Sequence, residues 1–274
     1  MERHLVLQKV HEIRSVHRRM GGRKLYEKLE LFMLENGIKM GRDALFDLLS
    51  ANNLLVKKRR SRKRTTNSHH WYRKYPNLVK GKVVERPNEL WVSDMTYWKI
   101  RDKYVYISFI TDAYSHKIVG SHVSPGMTAE GPLNALKMAL KDLKRTTPEY
   151  SLIHHSDRGI QYCSDSYVKT LKKHGISISM TQSSDPLDNA IAERINGIIK
   201  HEYLYTQKTK DLKTARKQLD QAVRLYNNDR PHFSIGLLEP ELVHSKALKT
   251  QKLWKNYYPS KNSEQAKNKT VLNH

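Results

Sequence analysis

The chain has 274 residues, of which 38% are apolar, so it can bury the core of one large domain or of two smaller ones. This composition excludes a fully disordered tail. The 50 Lys and Arg residues against 27 Asp and Glu give a formal net charge of +23, which indicates an extended anionic partner, with nucleic acid as the first candidate.

The sequence lacks the features of a membrane protein and of a disulfide-stabilised secreted protein. Its most apolar stretch, residues 104–110, is too short to span a bilayer, and the first residues lack the apolar segment of a secretory signal. The single Cys163 can form neither an internal disulfide nor the usual structural zinc site. We therefore expect a cytoplasmic protein that has no membrane partner and is stabilised by packing.

Residues 1–56 predict a small all-α domain. Apolar residues recur there at helical spacing in three blocks, which Gly21-Gly22 and Gly37 separate. Three short helices with a basic exterior are typical of a helix-turn-helix unit on a DNA duplex. A plain three-helix bundle is the alternative. The apolar blocks are Val6, Val10 and Ile13, then Leu25, Leu29, Phe32 and Met33, then Leu45, Leu48 and Leu49.

Residues 57–85 are expected to form a basic linker that contacts DNA. Residues 1–85 contain 21 basic and 8 acidic side chains, and the stretch 57–64 places seven positive charges in eight positions. Such a density repels itself and stays extended unless phosphates neutralise it. A solvated surface run is the alternative. The candidate DNA-binding residues are Lys57, Lys58, Arg59, Arg60, Arg62, Lys63 and Arg64.

Residues 86–246 predict an α/β domain. Three successive strand patterns rich in Val, Ile, Tyr and Trp are followed by alternating helices and strands, which indicates a mixed sheet flanked by helices. The polar residues 247–274 are expected to form a loose C-terminal tail. The expected strands cover 91–100, 103–111, 117–123, 151–156 and 176–180, and the expected helices cover 128–144, 165–174 and most of 188–228.

Three carboxylates in this domain are candidate metal ligands. Asp94 lies inside a strand among large apolar neighbours, where an ionised group is costly unless a cation satisfies it. Asp157 ends a later strand, and Gly159 is expected to allow a sharp turn after it. Glu193 lies on a helix, and 35 residues separate it from Asp157. Other acids compete, because Asp112 also lies near a strand end and Asp185 and Asp188 precede the helix, and periodicity does not choose among them.

The helix of Glu193 carries a polar stripe formed by Asn189, Glu193, Asn196 and Lys200. We expect its apolar side to pack on the sheet, which leaves the carboxylate at the sheet edge and the lysine near a phosphate. Oxygen ligands without Cys or His suit Mg²⁺ or Mn²⁺ better than zinc.

Several segments resemble, in order and spacing, the signature motifs of OrfB-type transposases of bacterial insertion sequences, which belong to the retroviral integrase (DDE) superfamily. They are residues 91–97 (WVSDMTY), 155–162 (HSDRGIQY), 188–194 (DNAIAER) and 226–232 (YNNDRPH), with Leu237 and Pro240 beyond. The 35-residue gap agrees with the spacing of that family. More weakly, residues 13–29 resemble its helix-turn-helix region, although Met20 stands where an aromatic residue is usual.

The resemblance implies a ribonuclease-H-like fold in which Asp94, Asp157 and Glu193 are the catalytic acids that bind Mg²⁺, with Mn²⁺ able to substitute. It implies that Lys200 lies where superfamily members contact DNA, and we expect Asn189 to contact DNA as well. It reduces Asp112 to a structural role. Arg230 is expected either to contact DNA or to have a structural role at the end of a helix, and His154 and His155 are expected to be packing residues.

The resemblance also implies a DNA transposase that cuts the ends of a bacterial insertion sequence and transfers the strands. Its expected partners are the terminal repeats and target DNA, further copies of the chain on that DNA, and an upstream recognition protein that is separate or joined by frameshifting. Association with the bacterial nucleoid follows. Two alternatives stay open: a non-catalytic DNA-binding regulator of transposition, and a nuclease on the same fold.

Overall fold

The computed structural model describes residues 1–56, 70–143, 152–182, 189–251 and 253. Part of what the sequence predicts lies outside these residues. This applies to the DNA-binding run at 57–64, to the competing acids Asp185 and Asp188, and to residues 254–274 of the expected tail. The domain boundaries at 56, 85 and 246 stay a prediction.

Three helices form the N-terminal region, as the apolar spacing predicts. They are α1 (Glu2–Val16), α2 (Gly22–Glu35) and α3 (Arg42–Ala51). Their apolar faces meet in a separate core that includes Val6, Leu29 and Leu45. Because each helix is only ten to fifteen residues long, tertiary packing of these faces stabilises the unit more than helix propensity does.

A five-stranded mixed sheet organises the rest of the chain, as expected from the sequence. The order is β3-β2-β1-β4-β5, where β1 pairs antiparallel with β2 and β2 with β3, whereas β4 is parallel to both β1 and β5. Short turns join the antiparallel strands, and helices lie between β3 and β4 and between β4 and β5 in the chain. The strands are β1 (Leu90–Ile100), β2 (Lys103–Asp112), β3 (Ile118–Ser124), β4 (Ile153–Ser156) and β5 (Ser177–Met180).

Helices cover both faces of the sheet and enclose two apolar cores. One core lies under α7 and α8 and contains Trp98, Phe109 and Tyr226, and the other lies under α4 to α6 and contains Trp91 and Tyr167. The helices after β3 are α4 (Glu130–Asp142), α5 (Ile160–Cys163), α6 (Asp165–Lys173), α7 (Ala190–Ile198), α8 (Leu212–Asp229) and α9 (Pro240–Lys246).

The structure differs from the expected elements in two respects. The expected helix at 188–228 is interrupted: α7 continues as a π turn (Ile199–Tyr203) and a 3₁₀ turn (Leu204–Thr206), and α8 starts anew where the side chain of Asp211 accepts a hydrogen bond from the Thr214 amide at 2.7 Å. The short helices α5 and α9 were not predicted, because one or two turns contain too few residues to show periodicity.

Ion pairs connect the N-terminal helices to the domain that contains the sheet. Lys24 Nζ lies 3.1 Å from a Glu202 carboxylate oxygen, and His17 Nε2 lies 2.6 Å from Asp229 Oδ2. Lys28 binds the other oxygen of Asp229 at 2.5 Å. The helical region therefore contacts both the π turn and the end of α8, which lies on the same side of the sheet as α7.

We expect Gly120→Ala to destabilise the protein, because a Cβ at this position would lie 2.2 Å from the backbone oxygen of Ala135 in α4. Overpacking of this kind costs about 1–3 kcal/mol, and a backbone atom yields less than a side chain. Urea unfolding followed by circular dichroism measures the loss. Gly126→Ala is the control, because its Cβ would have only one neighbour, at 3.8 Å. Equal stability of the two variants would contradict the close packing of β3 against α4.

Candidate active site

The pairing of two parallel strands brings Asp94 and Asp157 together. Ser93 of β1 is the register partner of Ser156 of β4, and each aspartate is the next residue along its chain. Neighbouring strands lie about 4.8 Å apart, so the two carboxyl groups start from adjacent backbone positions. Residues 63 positions apart thus become neighbours through one strand pairing.

Asp94 lies within β1 and is partly buried. Water reaches part of its side chain, yet protein surrounds it closely, and this burial raises the pKa of Asp94 to about 8. The negative charges of Asp157 and Glu193 raise the pKa further, whereas hydrogen bonds from the Met95 amide and from Asn196 lower it. The hydrogen bonds to Asp94 therefore do not compensate for its burial and for the two nearby negative charges.

Gly159 lets the Asp157 loop fold tightly. Asp157 Oδ1 accepts a hydrogen bond from the Gly159 amide at 3.0 Å, and a Cβ on Gly159 would lie 2.9 Å from that same oxygen. The glycine has a φ of −63°, which any residue can adopt. Gly159 therefore serves this tight loop by leaving space beside the carboxylate and not by adopting a positive φ.

Two asparagines hold α7 against β1, one on each side of Glu193. Asn189 Nδ2 donates to the Ser93 carbonyl at 3.0 Å, and Asn196 Nδ2 donates to Asp94 Oδ2 at 2.6 Å. Glu193 lies about one helical turn from each, on the same stripe. Its side chain is exposed, although partial desolvation still raises its pKa. Ile195 and Ile198 are buried on the other side of the helix, as predicted.

The site offers oxygen ligands, but it is not closed around an ion. Among residues 1–56, 70–143, 152–182, 189–251 and 253, no group of three or more His, Cys, Asp or Glu side chains is arranged to hold a metal. The buried Oδ1 atoms of Asn189 and Asn196 accept no hydrogen bond from the described residues. Carboxylate and amide oxygens suit Mg²⁺ or Mn²⁺, so the donor types present fit such an ion.

Lys200 points toward the sheet in this structure. Its side chain is only 8% exposed, and its Nζ donates to Thr96 Oγ1 at 2.8 Å and lies 4.5 Å from the centre of the Tyr97 ring. Burial lowers the pKa of Lys200, and the nearby charge of Asp94 opposes this effect. The ammonium group thus links the π turn to β1, and contact with DNA stays a prediction for Lys200 and for the buried Asn189.

Arg230 is 1% exposed, and both its Nε and its Nη2 donate to the Glu202 carboxylate at 2.8 Å. Burial alone would raise the pKa of Glu202, but the charges of Arg230 and Lys24 outweigh it and lower that pKa to about 2. Of the two roles expected for Arg230, the structural one matches this buried pair at the end of α8. A DNA contact by Arg230 stays a prediction.

Asp112 has the structural environment that the resemblance implies. Its Oδ1 accepts hydrogen bonds from the amide and the hydroxyl of Ser115, at 2.8 and 2.6 Å, and its Oδ2 accepts one from the Asn88 amide at 2.7 Å. These bonds hold the turn between β2 and β3.

The two histidines of β4 are also buried in packing contacts, as expected. His154 Nε2 lies 2.9 Å from the Tyr167 hydroxyl, and His155 Nδ1 lies 2.8 Å from the Ser179 hydroxyl. Burial lowers the pKa of His154 to about 3. This side chain is therefore neutral at physiological pH.

A basic cleft of about 1530 Å³ lies on the other side of α7 from the acids and contains none of the three. The sequence did not predict this cleft, because segments distant in the chain form its walls. One local signal was available, since Ala190, Ile191, Arg194 and Ile198 share a helix face. Its Lys and Arg lining consists of Arg23, Lys24, Lys82, Arg86, Arg194, Arg230 and Lys249.

The described part of the chain contains no helix that is long and apolar enough to cross a membrane.

Comparisons with known proteins place the chain in a family. It matches the integrase core domain family over residues 84–186 and again over residues 174–240. It is 33% identical over 240 residues to an uncharacterized 31 kDa protein of insertion element IS600 from Shigella sonnei, covering 86% of each chain. It is also 33% identical over 224 residues to the transposase for insertion sequence element IS629 from the same organism, covering 82% of this chain and 73% of that one.

The fold is similar to that of a retroviral enzyme as well. An intasome structure of simian T-cell lymphotropic virus aligns over 92% of this chain and 78% of that chain, with a TM-score of 0.51 and 15% sequence identity. The likeness shows the ribonuclease-H-like fold. With the two integrase-core matches and the relatives at 33% identity, it follows that the chain belongs to the DDE transposases of bacterial insertion sequences, a family of polynucleotidyl transferases.

Proposed function

We propose that this protein cuts DNA at the ends of a bacterial insertion sequence and joins the strands to a target, with Asp94, Asp157 and Glu193 as its metal-binding catalytic acids. One observation carries the proposal. Asp94 and Asp157 occupy adjacent positions on parallel strands, and the helix of Glu193 is hydrogen-bonded to the same strand. One relative is a transposase for IS629, which supports the choice of DNA as the substrate.

Divalent Mg²⁺ or Mn²⁺ is the proposed cofactor. The chemistry that such an ion supplies when bound is activation of a hydroxyl nucleophile and stabilisation of the leaving oxygen of a phosphodiester. The protein's own part is to hold the ligands. Asn196 fixes the Asp94 carboxylate, the Gly159 amide fixes that of Asp157, and α7 keeps Glu193 within one turn of both asparagines. Burial, together with the charges of Asp157 and Glu193, raises the pKa of Asp94, and a bound cation would favour the charged form again.

We propose that the basic surfaces hold the DNA backbone. In the cleft beside α7, Arg194 and Arg23 are both exposed, and they come from the helix of Glu193 and from the N-terminal region, respectively. The run at 57–64 adds phosphate contacts from the linker, and residues 1–56 act as the DNA-binding domain before the catalytic domain at 86–246. Such contacts position DNA and raise affinity without reading sequence.

The further partners belong to this proposal too. Joining two element ends to one target requires at least two active sites, so we propose a homo-oligomer on DNA. The solved structure that the chain resembles in fold is described as an intasome. An upstream recognition protein, separate or fused by frameshifting, supplies end-specific recognition, and the site of action is the cytoplasmic nucleoid.

We expect Asp157→Asn to abolish cleavage and joining of element-end DNA in Mg²⁺ or Mn²⁺, because it removes a charged ligand while the Gly159 hydrogen bond to the side-chain oxygen is kept. DNA binding should persist. Gel assays with labelled element ends measure both properties. Asp165→Asn, an exposed acid at the start of α6, is the matched control and should keep activity. Joining by the Asp157→Asn variant would reject the assignment.

The same assays separate the alternatives. A non-catalytic regulator would shift element-end DNA and leave it intact in Mn²⁺. A nuclease on this fold would cut an RNA–DNA hybrid or any duplex without joining the strands.

We expect Asp94→Asn to stabilise the metal-free protein by on the order of 2 kcal/mol at pH 8. The pKa of Asp94 is about 8 in the folded protein and about 4 when unfolded, so folding favours the protonated form. Stability from this group is fully present below pH 4 and is lost as the pH rises toward 8. Thermal unfolding in EDTA from pH 5 to pH 9 measures the trend.

The same melting temperatures can be measured with added divalent metal. Added Mn²⁺ should raise the melting temperature of the unsubstituted protein at pH 8, and it should raise that of Asp94→Asn much less. Equal shifts would mean that the ion binds elsewhere.

We expect Arg23→Ala with Arg194→Ala to weaken binding to duplex DNA and to reduce the slope of log affinity against log salt by about two, at ~0.9 for each phosphate that the protein no longer neutralises. Fluorescence anisotropy at several salt concentrations measures both. Lys213→Ala with Lys217→Ala removes the same charge from the exposed side of α8 and is the control. An unchanged slope in the arginine variant would mean that the cleft is not part of the DNA-binding surface.

A further inference from the structure

Trp71 presents a large ring to solvent close to the acidic site. Its side chain is 86% exposed, and its ring stacks on that of Tyr72 with centres 5.3 Å apart and planes 25° apart. Tyr72 is itself packed against the core under α4 to α6. Trp71 therefore packs on its neighbour Tyr72, which contacts the core, and most of the indole stays accessible to solvent.

The segment that carries Trp71 is attached to the catalytic loop. His70 Nε2 donates to the carbonyl of Arg158 at 2.8 Å, and Arg158 directly follows Asp157. The His70 ring also packs edge-on against Tyr72, with centres 5.8 Å apart. Trp71 therefore follows directly after a residue that is hydrogen-bonded to the Asp157 loop.

The following residues fix the segment to the edge of the sheet. The Leu78 amide donates to the Ser179 hydroxyl at 2.9 Å, and the Met180 amide of β5 donates to the Pro76 carbonyl at 3.2 Å. The segment 70–78 is therefore anchored at both ends, to the catalytic loop and to β5. An exposed ring on an anchored segment is available for binding without a large loss of conformational entropy.

Positively charged side chains accompany Trp71 on its own segment and on the catalytic loop. Arg73 and Lys74 closely follow Trp71 in the chain, and Arg158 directly follows Asp157. Arg73 packs over the Tyr75 ring with its guanidinium carbon 5.4 Å from the centre. Exposed aromatic rings interspersed with cations are the usual surface for single-stranded nucleic acid, where bases stack on the rings and phosphates contact the cations.

We propose that Trp71 is a stacking platform for an unpaired nucleobase of the DNA strand that is engaged at Asp94, Asp157 and Glu193. This inference rests on the proposed function. Inside a duplex both faces of a base are covered by its neighbours, so only a base at a frayed end or beside the cut can stack on the indole. Because every base has an aromatic face, the contact is tolerant of sequence and acts by positioning the strand.

The test compares three variants in EDTA, where no chemistry occurs. The probes are a blunt duplex and a forked duplex that ends in unpaired nucleotides, one of which is 2-aminopurine, a fluorescent base. We expect Trp71→Ala to weaken binding of the forked duplex about tenfold, which is within the range for loss of one base stack, and to leave the blunt duplex unchanged. Trp71→Phe should keep most of the affinity. Trp71→Leu, which keeps apolar bulk without an aromatic face, should behave like Trp71→Ala.

The fluorescence of 2-aminopurine reports stacking directly. It should be quenched when the unsubstituted protein or Trp71→Phe binds the fork, and it should stay bright with Trp71→Ala and Trp71→Leu. Equal affinity of all variants for the fork would overturn the proposal. So would a loss of self-association in Trp71→Ala, measured by sedimentation, without a change in fork binding, because the ring would then belong to an interface between copies.

The stacking proposal and the proposed function fail in different ways. Loss of joining in Asp157→Asn together with normal fork binding by Trp71→Ala would overturn the stacking platform alone. Quenched fluorescence and a tenfold affinity loss without any joining by the unsubstituted protein would overturn the strand-transfer function alone.

Discussion

The site depends on the parallel pairing of β1 with β4. That pairing makes Ser93 and Ser156 register partners, and so it places Asp94 beside Asp157. Because the side-chain period of a strand is two, a slip of one residue would turn one of the two carboxylates to the opposite face of the sheet. The helix of Glu193 depends on the same strand, since the asparagines on either side of it bind Ser93 and Asp94.

The close approach of Asp94, Asp157 and Glu193 is expected to lower the stability of the metal-free protein. The pKa of Asp94 rises to about 8 because burial and two neighbouring carboxylates disfavour its charged form. Two charged groups elsewhere in the domain are paired, as the three hydrogen bonds of Asp112 and the buried pair of Arg230 with Glu202 illustrate. Asp112 and Arg230 have the partners that they need, whereas the pKa of Asp94 is strongly shifted. A strongly shifted pKa beside other charged groups is typical of a functional site.

Much of the fold could be predicted from the sequence, because long elements repeat their pattern. Three helical faces in residues 1–56 and the alternation of strands and helices after residue 90 correspond to observed elements. Short or irregular elements were missed: α5 has four residues, and α7 gives way to a π turn with no sequence signal for the change. Gly159 shows a further limit, because its need for space comes from a carboxylate oxygen whose position depends on the folded loop.

By itself the sequence determined the fold class, the excess of positive charge and the three candidate acids with their spacing, since these follow from local periodicity, composition and motif order. Only the tertiary structure decided which acids are neighbours, that Lys200 faces β1, that Arg230 is buried against Glu202 and that Trp71 lies beside the Asp157 loop. The physical reason is that strand register, helix docking and burial are properties of contacts between distant segments, which a linear pattern does not contain.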